Sequence, residues 1–232
     1  MADRPVFIPS TSDQFLVETQ SIEFEWVAGM AVTQKQKCIN ALHAAIAETK
    51  SDASILEISS KSENDLGVQL SAFNLAYRST KENSYTVECI FQASKVFQNG
   101  GPYRDLLQVS SLDAKRDERL KTSGNLIKFN SNGFNWPKEP KTVFYDWVYL
   151  NALNSQPELA KQLLEYNAFT DIEFNPKKSI NCQAYSAALY VSLQNRGILN
   201  DVLESPERFI EVIRSYSVSN SVDNDLIQPG LI

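Results

Sequence analysis

Residues 85–95 read YTVECIFQASK, and Val87, Ile90, Phe91, Ala93 and, just beyond, Phe97 cover most of a helical circumference. The stretch therefore predicts a helix packed on several sides, the mark of a chain whose core is built around helices. At 3.6 residues per turn, steps of four and then three place Glu88, Gln92 and Lys95 in one stripe on that helix. Burying a carboxylate or an ammonium costs several kcal/mol unless partners satisfy it, so such groups persist as paired structural elements or as chemistry. Seven residues of rise separate Glu88 and Lys95 by about 10 Å, which disfavours a direct ion pair and leaves room for a substrate group between the two tips. The plainer alternative is that each reaches solvent or pairs with a residue from elsewhere in the chain.

Upstream, SIEFEWV alternates like a strand, and a helix follows from Thr33, its cap, to Glu48. TKSDAS breaks the pattern, ILEISS is a second strand, KSENDLG a loop and VQLSAFNLAY an extended segment. Downstream, Gly100 and Gly101 of QNGGPY supply a helix stop, and less simply a set of amides for a phosphate. LDAKRDERL is a helix with a solvated, mixed-sign face, and NSNGFNWPKEPK is a turn-rich loop. Pro140 starts the core helix KTVFYDWVYLNAL, and PELAKQLLEY is another helix. A short extended segment runs through Glu173, a turn follows at Asn175 and Pro176, and a long helix ends at Gly197. SPERFIEVIRSYS closes the helical part. Several helices and a few short strands without regular strand–helix alternation indicate an α+β fold rather than a doubly wound sheet. The expected organisation is a strand–helix extension at 1–52 packed on the core, a mainly helical catalytic domain at 53–214, and a mobile polar tail at 215–232.

The 232 residues suffice for a substantial core, and the net charge of −6 excludes a broad basic nucleic-acid surface. Cys38, Cys89 and Cys182 lack paired spacing and read as free thiols of a reducing compartment. MADRPVFIPS is not a signal peptide, and no apolar run approaches the roughly 20 residues needed to span a bilayer, so a cytoplasmic protein is expected. His43 is the single histidine; it borders the face made by Ile39, Leu42 and Ile46 and reads as a packing or surface residue. One histidine excludes a multi-histidine metal site, and glycine-rich nucleotide signatures are missing. No metal and no cofactor is expected, and acid–base chemistry must rest on carboxylate, lysine, tyrosine or cysteine.

At LSAFN, TVECIFQASK and the loop tryptophan, the pattern resembles the NADAR family, whose members share a Ser-Asn-Phe segment followed by a Glu-His helix ending in Gln-Ala-x-Lys. Those positions here are Ser71, Ala72 and Phe73, then Glu88, Cys89, Phe91, Gln92, Ala93 and Lys95. Trp136, ahead of an apolar helix, looks like the family tryptophan, and NCQA (181–184) resembles a late Asn-x-x-Gly element with alanine for glycine. The ordered match runs along residues 54–197. From RPVFIP and EFEWVAGM through EISSKS to FYDWVYLNAL, the chain is similar more specifically to NADAR antitoxins encoded beside DarT-type guanine ADP-ribosyltransferases. Ala72 replaces the usual asparagine, with Asn74 offering an amide nearby, and Cys89 replaces the usual histidine. DIEFNPKKS stands where the small-metabolite branch carries an Asp and a Trp-Gly element.

The resemblance implies cleavage of an N-glycosidic bond to ribose. Such cleavage develops positive charge at the anomeric carbon and negative charge on the departing nitrogen, so an acid near the base and an anion or nucleophile near the sugar lower the barrier. On that basis Glu88 transfers the proton and stabilises the cation. Lys95 either binds a phosphate or hydroxyl as a charge or attacks the anomeric carbon as a neutral amine; the resemblance favours attack. Gln92 orients either neighbour or binds a sugar hydroxyl. Ser71, Phe73 and Asn74 line the binding segment, and Trp136 either stacks on a nucleobase or anchors its loop. Ser59, Ser60 and Lys61 hold a pyrophosphate or form a polar strand end. Glu173 approaches the ribose or caps a turn, and Asn181 bonds the ligand or closes its helix.

The implied substrate is ADP-ribosylated guanine in DNA or RNA, and the implied partner a DarT-type toxin, met functionally or by contact. The alternatives are N-glycosidase action on a small phosphorylated ribosylamino metabolite, non-catalytic binding of ADP-ribose or nucleic acid, and direct neutralisation of the toxin.

Overall fold

The computed structural model describes residues 1–78, 84–177 and 179–219. In chain order they form β1 (Ala2–Pro9), β2 (Val17–Phe24), α1 (Val32–Thr49), β3 (Ile55–Glu57), α2 (Asp65–Gln69), β4 (Ala76–Arg78), β5 (Ser84–Thr86), α3 (Val87–Ala93) and β6 (Lys95–Phe97). After a 3₁₀ turn (Arg104–Gln108) come α4 (Ser111–Arg116), α5 (Arg119–Thr122), β7 (Leu126–Ser131), β8 (Phe134–Trp136), α6 (Val143–Asn154) and α7 (Pro157–Leu163). The described chain ends with β9 (Ala168–Thr170), α8 (Gln183–Asn195), α9 (Leu199–Val202) and α10 (Pro206–Ser215). Helices around small sheets make this an α+β fold, as the element inventory predicts. Among the described residues no helix is long and apolar enough to cross a membrane.

The largest sheet has the order β2-β1-β9-β3. β1 is antiparallel to β2 and meets β9 at Phe7↔Phe169, while β3 runs parallel to β9. Residues 1–52 thus supply two strands of this sheet and the helix α1, which buries Cys38, Ile39, Leu42 and Ile46 against Val6, Phe24, Ala168 and Ile172. Ala31 precedes α1 without a side-chain cap, so Thr33 lies inside the first turn and is not its cap.

The main core lies around α6 and α8. Both are buried on several faces and joined by the Ser186 hydroxyl, which donates to Asp146 Oδ1 at 2.6 Å. Trp136, Phe144, Tyr149, Phe169 and Phe209 are among its fully buried side chains. The segment read as a turn-rich loop is instead the hairpin β7–β8. Asn132 (φ 48°) and Gly133 (φ 82°) both take the left-handed conformation of a two-residue turn that matches strand twist.

The opening stretch also departs from its single-helix reading. Thr86 ends β5 and caps α3 by accepting the Cys89 N–H at 3.2 Å, so the helix has only seven residues. Ser94 closes it, its hydroxyl donating to Ile90 O at 2.7 Å, and the chain turns into β6, where Lys95 pairs with Phe129 of β7. Tertiary pairing with β7 wins over helical periodicity here. The glycines of QNGGPY therefore do not stop that helix. Gly101, at φ +80°, lets the chain press on β6, and a Cβ there would lie 2.3 Å from Lys95 O.

VQLSAFNLAY is likewise not extended throughout. Asn64 caps α2 by accepting Leu66 N–H at 2.9 Å, and the chain turns at Ser71, whose carbonyl accepts from Asn74 N and Leu75 N. Only Ala76–Arg78 is strand. Of the tail expectation at 215–232, Ser217 bridges to Phe15 and Ser219 Oγ accepts from Thr19 N–H, while 220–232 lies outside the described residues.

Candidate active site

The turn at 71–75 docks on the start of α3. The Glu88 N–H donates to Ala72 O at 3.0 Å and the Val87 N–H to Leu75 O at 2.9 Å, which satisfies amides that a helix start leaves open. Phe73 and Glu88 are thereby fixed beside one another. The Glu88 side chain is buried, and the Gln92 amide one turn on donates to its Oε1 at 2.8 Å. Gln92 Oε1 is buried without a hydrogen-bond partner, an acceptor open to a ligand N–H or O–H.

Lys95 joins this pair from the adjoining strand, beyond the one-residue turn at Ser94. Its Nζ lies 4.8 Å from the Phe91 ring centre, and that ring packs on Phe129, Phe144 and Tyr145. Burial lowers the amine to about 8; Glu88 opposes the shift and Lys115 adds to it. Among the described residues no carboxylate comes within 4 Å of Lys95, in keeping with the expectation that it does not pair directly with Glu88. Burial, with the Glu88 charge, pushes the Tyr145 phenol well above its ordinary value and keeps it a neutral donor.

Gln183 links this region to the end of β3. Its Oε1 accepts the Ala72 N–H at 2.7 Å and its Nε2 donates to Ile58 O at 2.7 Å. The Ser59–Lys61 turn consequently stands next to the Ala72–Phe73 segment. Ser59 is buried and accepts the Lys61 N–H at 3.2 Å, Ser60 is exposed and Lys61 half-buried. Ser71 Oγ donates to Val68 O and accepts from Asn74 Nδ2, so these two side chains build the turn.

Two of the sequence-predicted residues stand apart. Trp136 is 1 % exposed among Phe134, Phe144, Trp147 and Phe209, the packing of a loop anchor rather than an open stacking face. Glu173 pairs with Lys35 at 3.1 Å and turns outward. Its neighbour Asp171 is the buried acid, with Oδ1 accepting the N–H groups of Glu173 and Phe174. Asn181, just before α8, has a buried Oδ1 without a partner.

Asp171 and Glu57 are both held above the usual carboxylate range, chiefly by burial, with the Glu57 charge adding to the shift of Asp171 and the Glu173 charge to that of Glu57. Glu57 accepts the Thr170 hydroxyl at 2.7 Å, so Thr170 Oγ1 meets His43 Nε2 at 2.9 Å as an acceptor from the ring N–H. Burial lowers His43 to about 4, and it serves as a neutral packing residue. The Cys182 thiol is pushed well up by burial and by Asp171, which removes it as a nucleophile. A cavity of about 440 Å³ between α1 and β3 is lined by Asn40, His43, Glu57 and Ser62 but by none of Glu88, Gln92 and Lys95. Among the described residues no group of three or more His, Cys, Asp or Glu side chains is placed to hold a metal ion.

The geometry adds Tyr145, Lys115, Gln183 and Asp171 to the sequence-derived set. The clearest available signals are the two acids that follow the apolar AFT, Asp171 and Glu173, and the four-residue spacing of Ser111 and Lys115. A short helix carrying a buried Glu–Gln pair is thus followed at once by a strand carrying a half-buried lysine. A search of curated proteins finds no match to the chain. The model of one family, the DarT1-associated NADAR antitoxins, matches residues 2–223, nearly the whole chain, and the protein belongs to that family.

Proposed function

We propose that the protein is an ADP-ribosyl glycohydrolase that cleaves the N-glycosidic bond between ADP-ribose and guanine in nucleic acid, undoing the modification made by its DarT-type toxin. The observation that carries this reading is Lys95: a half-buried amine resting on the Phe91 ring, lowered to about 8 and without a carboxylate in contact, on the residue that follows the turn after α3. At pH 7 about one in ten such amines is neutral, against roughly one in 3,000 at the ordinary value of 10.5. That difference makes it a nucleophile at physiological pH.

In this mechanism the Lys95 lone pair forms a bond to the anomeric carbon as the carbon–guanine bond breaks, and that electron pair goes to the guanine nitrogen. Glu88 takes the proton the amine loses and hands it to the departing nitrogen. The sugar ring opens to an imine on Lys95. Water then adds to the imine carbon, and breaking the carbon–Nζ bond frees ADP-ribose and restores the amine. Gln92 holds Glu88 through its amide and offers its free Oε1 to a ribose hydroxyl. Asn181 Oδ1 is a second free acceptor, and in this reading Ser59, Ser60 and Lys61, tied to the Ala72–Phe73 segment through Gln183, take the diphosphate.

The test is release of free ADP-ribose from guanine-ADP-ribosylated single-stranded DNA by wild type, Glu88→Gln and Lys95→Ala, with borohydride in parallel reactions. Release by wild type, loss in both variants and a trapped adduct that requires Lys95 are expected. Tight binding by the folded wild-type protein without release would sink the enzymatic account. Cell protection by Glu88→Gln would turn the assignment to direct neutralisation of the toxin.

A further inference from the structure

Ser111, the first residue of α4, faces the start of α3. Its hydroxyl donates to Phe73 O at 2.9 Å and accepts from the hydroxyl of Thr86, the α3 cap, at 2.8 Å. One turn further on the same face is Lys115, whose ammonium lies 5.0 Å from the Phe73 ring centre. α4 is thus pinned at one end to the Phe73 segment and to the cap of the helix that carries Glu88, and its lysine lies over the Phe73 ring. We propose that Lys115 is a substrate-binding residue of this site, taking a phosphate ester anion of the substrate beside Phe73. The inference rests on the glycohydrolase reading above and deepens it.

Among the described residues three cations are engaged by acids. Arg119 is held by Asp105 and Asp117, Arg208 by Asp201 and Glu211, and Lys35 by Glu173. Among the described residues Lys115 has no carboxylate within 4 Å and rests on an aromatic face, an exposed contact weak enough for a phosphate oxygen to displace. Its charge is felt at the buried Lys95 amine. The Ser59–Lys61 turn is tied to the same Ala72–Phe73 segment through Gln183, which bonds Ala72 N–H and Ile58 O.

Two phosphates fit this chemistry, the diphosphate of the ADP-ribosyl group and the nucleic-acid backbone. Lys115→Gln and Lys115→Arg are compared with wild type at pH 9, above the Lys95 titration. Three substrates are used: ADP-ribosyl-guanosine, an ADP-ribosylated single-stranded oligonucleotide, and that oligonucleotide trimmed by an ADP-ribose pyrophosphatase and then a phosphatase to a bare ribosyl group, its backbone intact. Loss of one charge-assisted contact raises KM by on the order of tenfold with kcat changed less, and arginine restores most of it. A KM effect on the nucleoside that vanishes on the trimmed oligonucleotide assigns the sugar diphosphate; the reverse pattern assigns the backbone. Equal KM for Lys115→Gln and wild type on all three substrates overturns the inference while leaving the glycohydrolase reading intact. No turnover by wild type on any of them removes that reading, and this inference with it.

Discussion

Replacing Lys95 with methionine abolishes turnover and stabilises the fold. In the unfolded chain the amine keeps its proton up to 10.5, whereas in the fold it releases it at about 8. Below pH 8 both states carry the proton, and the folded state bears the full penalty of a buried ammonium. Between 8 and 10.5 the penalty fades, and above 10.5 it is gone. The interval corresponds to roughly 3 kcal/mol at pH 7 and about a quarter of that at pH 10. Methionine has a similar unbranched length and keeps contact with Phe91 through its sulfur, but it forfeits a cation–π contact of about 0.5–1 kcal/mol. Lys95 is only half-buried, so water relieves part of the penalty. A net gain of about 1–2 kcal/mol remains, and for a chain of this size it raises Tm by roughly 2–8 °C. Thermal unfolding of the two proteins at pH 7 and pH 10 measures it. A variant less stable than wild type at pH 7, or a gain of equal size at both pH values, refutes the claim that the amine is held against its preference.

The rate of ADP-ribose release, as kcat/KM, should climb about tenfold per pH unit below the Lys95 titration and level off near 8; a flat profile from pH 6 to 9 excludes the neutral amine as nucleophile. Gln183→Leu removes both 2.7 Å bonds of its amide and strands the Ala72 N–H and Ile58 O, at a cost of about 2–4 kcal/mol. Hydrogen exchange should then quicken in 58–61 and 71–75 before it does in α1, and uniform quickening counts against a local clamp. Trp136→Ala empties a fully buried site and costs about 3–5 kcal/mol, whereas Trp136→Phe keeps most of the packing and should keep turnover. A well-folded Trp136→Phe protein that no longer binds substrate would show that the indole meets the base after all.

Helix α3 shows how far periodicity reaches. The four-residue step from Glu88 to Gln92 is visible in the sequence, and the structure returns it as a 2.8 Å hydrogen bond. The break at Ser94 is not visible, because what pulls Lys95 into a strand is β7, more than thirty residues further on. β1 is hidden for a similar reason: RPVFIP carries two prolines and little alternation, and it becomes a strand between β2 and β9 through pairing that no local pattern encodes. The Asn132–Gly133 dipeptide does carry a local hairpin signal, but the polar residues around it read as a turn-rich loop, because β8 is only three residues long and is held by pairing with β7. At the site, Glu88, Gln92 and Lys95 could be found because buried polar groups on an apolar background stand out. Choosing between Asp171 and Glu173 could not be done that way. Both follow β9 in a short irregular stretch, and only the turn that gives Asp171 the amides of 173 and 174 decides which acid faces inward.

The break at Ser94 bears directly on the chemistry. On one continuous helix the Glu88 and Lys95 backbones would stand about 10 Å apart along a single axis, and the positions of their tips would depend on long side chains. Turning at Ser94 puts the lysine on a different element, braced by β7 on one side and by Gly101 against its carbonyl on the other. The acid keeps its helix, with a cap at Thr86, backbone bonds to Ala72 and Leu75, and the Gln92 amide on its oxygen. Glu88 and Lys95 are therefore fixed by separate supports on either side of the Ser94 turn, and in the proposed mechanism that is the condition under which positioning lowers a barrier without reorganisation at the moment of reaction. The same supports hold an amine away from its ordinary ionisation and leave Gln92 Oε1 without a donor. Both are costs to the fold. In the proposed mechanism a ribosyl ligand relieves both, the first by bonding to the amine and the second by a hydroxyl, so the groups the fold holds at a cost are the ones that mechanism uses.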